Sequence, residues 1–87
     1  MKIVSKPVEM IAWFKDKKIP EPLRFRIKYD DDSHLIIKVH KVLETREEKP
    51  AGIRSYVYQC QSIINGIEKI YELKFIIEDS KWILYKI

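Results

Sequence analysis

The sequence contains a single cysteine, Cys60, so no disulfide can form within the chain. This excludes the class of small secreted domains that disulfides hold together. No run of apolar residues approaches the length of a membrane-spanning helix, and the first residues lack the apolar core of a secretory signal. We therefore expect a cytoplasmic protein that does not contact a membrane.

Glycine and proline are also scarce, with two and four residues. This glycine count excludes a glycine-rich phosphate-binding loop and leaves few irregular stretches. Apolar residues make up 46% of the chain and charged residues 34%, which is typical of a folded domain and not of a disordered segment. Because 87 residues leave room for only one hydrophobic core, residues 1–87 are expected to form a single domain.

Residues that bind metals or carry catalysis are few and poorly placed. His34 and His40 lie about 20 Å apart if they share one strand, at ~3.3 Å per residue, so they cannot share a metal. Cys60 falls among inward-facing residues and is expected to be a core side chain. The run of acids at residues 30–32 lacks the glycine and the distant glutamate of a calcium loop, so it is interpreted as a turn. We predict no metal, no cofactor and no enzymatic activity.

Apolar residues recur at every second position in most of the chain, which indicates β-strands. The alternation slips at Val42, and a bulge near His40 and Lys41 would explain the slip. Residues 44–52 are strongly polar and end in Pro-Ala-Gly, so they are predicted to form an exposed loop. The alternating segments are residues 23–29, 35–39, 56–60, 71–77 and 82–85.

The dipeptide Asn65-Gly66 predicts a tight hairpin, because both central residues of a type I′ turn need a positive φ. A two-residue loop at this point pairs Ile64 with Ile67. Counting back along both strands pairs Cys60 with Tyr71. The apolar positions of the two strands then fall on one face of the sheet, so the turn and the periodicity agree on the register.

A second hairpin is predicted at Asp79-Ser80. This turn would pair Ile77 with Trp82 and Phe75 with Leu84. Residues 56–87 would then form a three-stranded meander, in which each strand is antiparallel to the next along the chain.

The first segment, residues 7–14, has two interpretations. It forms either a strand or a short helix that Ser5 caps. The strand is favoured because the rest of the chain is β, and it would direct Val8, Met10, Ala12 and Phe14 inward. The predicted fold is all-β, with about six antiparallel strands in a hairpin meander. The strands would form a curled sheet or a small barrel the size of an SH3 domain. If residues 7–14 are helical instead, the fold has one short N-terminal helix.

Five short motifs are spread along most of the chain, namely Pro7-Val8-Glu9, residues 22–26, Val42-Leu43-Glu44, Tyr71-Glu72-Leu73 and residues 82–87. Together they resemble motifs of small bacterial proteins of unknown function. This resemblance implies a compact β domain and brings no activity.

One strand is basic on its outward side. A hairpin turn at residues 30–32 would place Arg24 opposite Lys38, and like charges that face each other destabilise a sheet unless an anion approaches. With a net charge of +4, this pattern is compatible with binding of nucleic acid. The alternative is a solvated face that nearby acids neutralise. The candidate contacts are Arg24, Arg26, Lys28 and Lys38, with Trp13 or Tyr29 as a stacking ring.

The outward side of the last hairpin is apolar, although a solvent-facing sheet should be polar. Either the N-terminal segment covers this side as a second layer, or a protein partner does, including a second copy of the chain in a homodimer. The favoured functional hypothesis is therefore a small protein-interaction module that uses this surface, and binding of nucleic acid is the alternative. The candidate interaction residues are Ile70, Ile76, Ile83, Tyr85 and Ile87.

Overall fold

Seven antiparallel strands form one sheet in the computed structural model, which describes residues 1–16 and 18–87. The order across the sheet is β3-β2-β1-β7-β6-β5-β4. The only helical element among the described residues is a 3₁₀ turn at Pro50–Gly52. The strands are β1 (Ile3–Trp13), β2 (Glu21–Lys28), β3 (His34–Lys38), β4 (Lys41–Glu48), β5 (Ser55–Ile64), β6 (Ile67–Ile76) and β7 (Lys81–Lys86).

The sheet curls into a half-barrel because one stretch of chain supplies both of its edges. β3 and β4 lie at opposite ends of the strand order, yet only Val39 and His40 separate them in the sequence. Where a bulge was predicted near His40 and Lys41, the chain instead ends its pairing with β2 and turns to pair with β5 as a new strand. A second irregularity lies at Leu43, between the pairs that Val42 and Glu44 make with β5.

Hydrogen bonds at this corner join β3 and the short segment that follows it to β5. Ser62 on β5 donates its hydroxyl to the carbonyl of Lys38 on β3, at 2.6 Å. The amide of His40 donates to the carbonyl of Gln61, at 3.1 Å. The strand predicted for the first segment is confirmed, since β1 pairs with β2 on one side and with β7 on the other. The helix capped by Ser5 is wrong.

The position of β1 overturns one expectation about the last hairpin. Because β1 lies beside β7 in the same sheet, it does not fold across the outward side of that hairpin as a second layer. Met10 and Ala12 pack against the core as predicted. Phe14 follows the strand and is largely exposed, although its ring meets Phe75 edge-on at 5.9 Å between centroids.

The hairpin at Asn65-Gly66 has the predicted register. Both turn residues have positive φ, at 51° and 78°. Ile64 faces Ile67, and Cys60 faces Tyr71. The turn chemistry and the apolar periodicity were therefore sufficient to fix the register of the two strands.

The register between β6 and β7 differs from the prediction by two residues. Phe75 faces Trp82, and Leu73, not Phe75, faces Leu84. The loop consists of the four residues between Ile76 and Lys81, so it begins at Ile77, two residues before the predicted turn at Asp79-Ser80. A shift of two preserves the inward and outward faces, which is why the apolar pattern cannot distinguish the two registers.

The prediction of an exposed loop over residues 44–52 is wrong for most of its length. Residues up to Glu48 belong to β4, which pairs with β5 along its length. This edge strand carries charge on both sides, so it lacks the apolar alternation of a strand that covers a core. Its charges are balanced locally, for example between Arg46 Nε and Glu48 Oε2 at 2.9 Å.

The concave side of the sheet holds the hydrophobic core. Cys60 is fully buried there, and burial raises the pKa of its thiol to about 12, so it is an inert core residue as predicted. The buried phenol of Tyr58 donates to the carbonyl of Pro20. The core residues are Phe25, Ile27, Ile37, Tyr58, Cys60, Tyr71, Leu73, Phe75, Trp82 and Leu84.

Candidate nucleic-acid interface

The four predicted basic residues lie together on the outward, convex side of β2 and β3. Side chains alternate along β2, so the burial of Phe25 on the concave side directs its neighbours Arg24 and Arg26 outward. Arg24 faces Lys38, as the turn at residues 30–32 predicts, and Arg26 faces Ile36. Lys28 continues the same row and is exposed.

One of the four cations is neutralised within the chain. Arg26 donates from Nε and Nη2 to the same carboxylate oxygen of Glu9, at 2.9 and 2.7 Å. Both partners are well exposed, so this pair contributes at most about 1 kcal/mol. Within residues 1–16 and 18–87, no carboxylate forms an ion pair with Arg24, Lys28 or Lys38. In the described part of the chain, these three positive charges therefore face solvent without an acidic partner.

Large apolar side chains are exposed beside these cations. Ile11 and Trp13 on β1 are 60% and 55% exposed, and Ile36 on β3 is 57% exposed. Across the sheet, Ile11 pairs with Arg24, which pairs in turn with Lys38, so an apolar side chain on β1 lies beside two cations. The Nζ of Lys15 lies 4.2 Å from the centroid of the Trp13 ring and 3.5 Å from Oε2 of Glu21, so this cation contacts the aromatic side chain but is paired within the chain.

We call this surface the basic face, defined by Ile11, Trp13, Arg24, Arg26, Lys28, Ile36 and Lys38. A shallow depression of about 370 Å³ lies at its centre, between β1, β2 and β3. Its lining combines the apolar Ile11 and Ile36 with Arg24 and with the ion pair of Arg26 and Glu9. Such a surface can hold a flat apolar ring while it contacts an anionic group next to it.

Ile11 was missing from the residues predicted for this surface, although the signal was in the sequence. If β1 is a strand with Met10 and Ala12 inward, Ile11 and Trp13 must point outward. One of the two interpretations of the last hairpin instead placed the N-terminal segment over that hairpin as a covering layer. The pairing of β1 with β2, which brings Trp13 to the edge of the basic strand, is a long-range feature that local patterns do not carry.

The five interaction residues predicted on the last hairpin do not form one exposed patch. Ile76, Ile83 and Tyr85 are each half-buried, and Ile70 alone is mainly exposed. Ile87 packs against the core. The reason is an irregularity between β6 and β7 at Tyr85, which reverses the side on which the final residue lies.

Charged side chains also cover part of this outward side. Lys74 and Lys86 place their Nζ atoms 3.9 and 5.2 Å from the centroid of the Tyr85 ring. Ile83 faces Lys74, and not Ile76 as the predicted register required. A role of this hairpin in binding a protein partner stays a prediction. The partial burial of four of the five predicted residues does not favour it.

The remaining polar clusters have local structural roles. Asp31 accepts hydrogen bonds from the hydroxyl and the amide of Ser33, and these bonds lower the pKa of the Asp31 carboxyl. This is the behaviour of a turn residue. His40 accepts a hydrogen bond from the amide of Ile63 at Nδ1, at 3.1 Å. In the described part of the chain, no group of three His, Cys, Asp or Glu side chains is placed to hold a metal ion.

Comparisons of the chain with protein-family models, with curated proteins and with solved structures give no match. Among the described residues, no helix is long and apolar enough to span a membrane. The features that remain to indicate a function are therefore those on the surface of the sheet.

Proposed function

We propose that the protein binds single-stranded nucleic acid on the basic face. The observation that carries the proposal is the pair of Arg24 and Lys38, two exposed cations that face each other without a carboxylate partner in the described residues. Facing like charges destabilise the free protein, and an approaching phosphate would relieve the repulsion. Exposed Trp13 supplies the second element of such a site, an aromatic surface for a base.

The geometry suits a strand that lies across β1, β2 and β3. Phosphates would contact Arg24, Lys28 and Lys38, while a base stacks on Trp13. Stacking on one aromatic side chain contributes about 1–3 kcal/mol per base and tolerates any base. The depression between Ile11 and Ile36 would take the apolar surface of a neighbouring sugar or base. Binding with little preference for sequence is expected, because phosphate contacts carry no sequence information.

The proposal requires a measurable dependence on salt. Each phosphate neutralised on a single strand contributes about −0.7 to the slope of log K against log salt concentration. Three unpaired cations therefore predict a slope of about −2. A protein that binds through the half-buried isoleucines of the last hairpin would show a much weaker dependence on salt.

Fluorescence anisotropy of labelled mixed-sequence DNA and RNA oligonucleotides tests this proposal at several salt concentrations between about 50 and 200 mM. The double variant Arg24→Gln, Lys38→Gln is expected to lower the affinity and to reduce the magnitude of the slope by about 1.4, since two phosphate contacts are lost. A matched variant, Lys41→Gln with Lys81→Gln, removes the same charge from other exposed positions and should keep the slope.

Trp13 allows an independent test of the stacking element. Trp82 is buried in the core, so a change in tryptophan fluorescence on binding reports mainly on Trp13. We expect Trp13→Leu to weaken binding by about 1–3 kcal/mol, and Trp13→Phe to retain part of it. Equal losses of affinity in the basic-face variant and in its charge-matched control would contradict the assignment of this surface.

A further inference from the structure

A second concave surface lies at the open end of the half-barrel, apart from the basic face. It is a groove of about 540 Å³, which is within the ~300–1,000 Å³ range of small-molecule sites. Its floor consists of the buried core residues Ile27, Ile37 and Leu84. Ile64 and Ile87 form part of its walls, so a ligand here would contact aliphatic side chains.

The charged residues that line the groove are both basic. Lys6 from β1 and Lys69 from β6 line it, and none of the acidic residues that the structure describes does. The Nζ of Lys6 lies 4.6 Å from the centroid of the Tyr29 ring, which is also part of the lining. The two amines therefore lie on β1 and β6 beside an aliphatic floor, an arrangement complementary to a molecule with an anionic head and an apolar chain.

We propose that this groove binds a monomeric medium-chain fatty carboxylate. The alkyl chain lies on Ile27, Ile37 and Leu84, and the carboxylate lies between Lys6 and Lys69. The groove fits a single alkyl chain, because its volume lies in the range of small-molecule sites. None of these residues belongs to the basic face, so this site and the proposed nucleic-acid interface are tested independently of each other.

Amide NMR titrations with decanoate, octanoate and decyltrimethylammonium test the proposal. Decanoate is expected to shift resonances of residues that line the groove, including Ile27, Ile37 and Leu84. Its dissociation constant should be lower than that of octanoate by about fourfold for each additional methylene. Decyltrimethylammonium, which has the same chain and the opposite charge, should bind more weakly than decanoate.

Two pairs of variants locate the site without disturbing the core. Lys6→Gln with Lys69→Gln is expected to weaken decanoate about fivefold, and Lys41→Gln with Lys81→Gln should leave its affinity unchanged. Ile67 lines the groove, whereas Ile63 across the same turn does not, and both are 60% exposed. Ile67→Gln should therefore weaken decanoate, and Ile63→Gln should not.

Three results would overturn the proposal. The first is equal affinity for decanoate and decyltrimethylammonium, which would mean that the amines play no part. The second is a set of shifted resonances outside the groove. The third is binding to vesicles that contain phosphatidylglycerol without any binding of monomeric decanoate, since this would identify a membrane surface and not a free carboxylate as the ligand.

Discussion

Arg24 on β2 lies directly opposite Lys38 on β3, so the sheet presents two like charges to each other across one ladder position. Such a pair opposes folding, and its exposure leaves it open to an anion. At this position, the two like charges therefore lower the stability of the free protein and favour the binding of an anion. This conflict is what a functional surface predicts and a merely solvated face does not.

Lys38→Glu should raise stability and abolish binding, and so separate the two effects of this pair. The change converts a like pair into an opposite pair with Arg24, so the free energy of unfolding should rise by about 0.5–1 kcal/mol at low salt. The gain should fall at high salt because the pair is exposed and screened. Binding of nucleic acid should be lost in the same variant.

Urea unfolding at low and high salt measures the effect. Lys81→Glu is the control, since Lys81 is an exposed strand residue that faces the apolar Ile76. It should leave the free energy of unfolding nearly unchanged. A loss of stability in Lys38→Glu would mean that Arg24 and Lys38 do not repel each other in the folded protein.

Ser62 should be more important for stability than its size suggests. Its hydroxyl donates to the carbonyl of Lys38 and contacts the buried hydroxyl of Tyr71 at 2.5 Å, so it joins β3 to β5 where the sheet curls. Ser62→Ala leaves both partners without this bond. We expect a loss of about 1–3 kcal/mol in the free energy of unfolding.

Ser55 offers a matched control on the same strand. It is as buried as Ser62, but its hydroxyl has no hydrogen-bond partner in the described part of the structure. Ser55→Ala should therefore have little effect or stabilise slightly. Equal losses in the two variants, measured by urea unfolding, would contradict a special role of Ser62 at the corner of the sheet.

Alkaline pH should destabilise the protein. Burial raises the pKa of the Cys60 thiol and of the Tyr71 phenol, each to about 12. A group with a raised pKa in the folded state contributes stability that is complete below its unfolded pKa and is lost as the pH rises through the folded pKa. The free energy of unfolding should therefore decline from about pH 9 upward, at up to ~1.4 kcal/mol per pH unit for each titrating group.

Cys60→Ala isolates the contribution of the thiol. In this variant the decline should begin about one pH unit higher, where tyrosine titrates in the unfolded chain. Urea unfolding between neutral pH and about pH 11 measures both proteins. A native thiol that reacts with a thiol reagent as fast as in urea would contradict the burial on which this prediction depends.

Local chemistry made parts of the fold predictable. At Asn65-Gly66 the turn type fixes the loop length, and the loop length fixes the register of β5 and β6. The turn before Lys81 has no such requirement, so its four-residue loop could not be placed to the residue. β4 was missed because its charged residues cover no core, and only pairing with β5 makes it a strand.

The candidate site could also be predicted only in part. Arg24, Arg26, Lys28 and Lys38 follow from the alternation of two strands and one short turn. The contribution of Ile11 and Trp13 depends on β1 pairing with β2, which no local pattern encodes. The predicted patch on the last hairpin failed at Ile87 because one irregularity reverses the parity of every residue that follows it.

The most direct measurement is an amide NMR titration of the labelled protein with mixed-sequence single-stranded DNA and RNA at low and moderate salt. We predict shifts that are confined to β1, β2 and β3, with the largest at Trp13, Arg24 and Lys38, and that weaken steeply as salt is added. Shifts that are absent at low salt, or that fall on the last hairpin, would contradict the assignment of the basic face as a nucleic-acid interface.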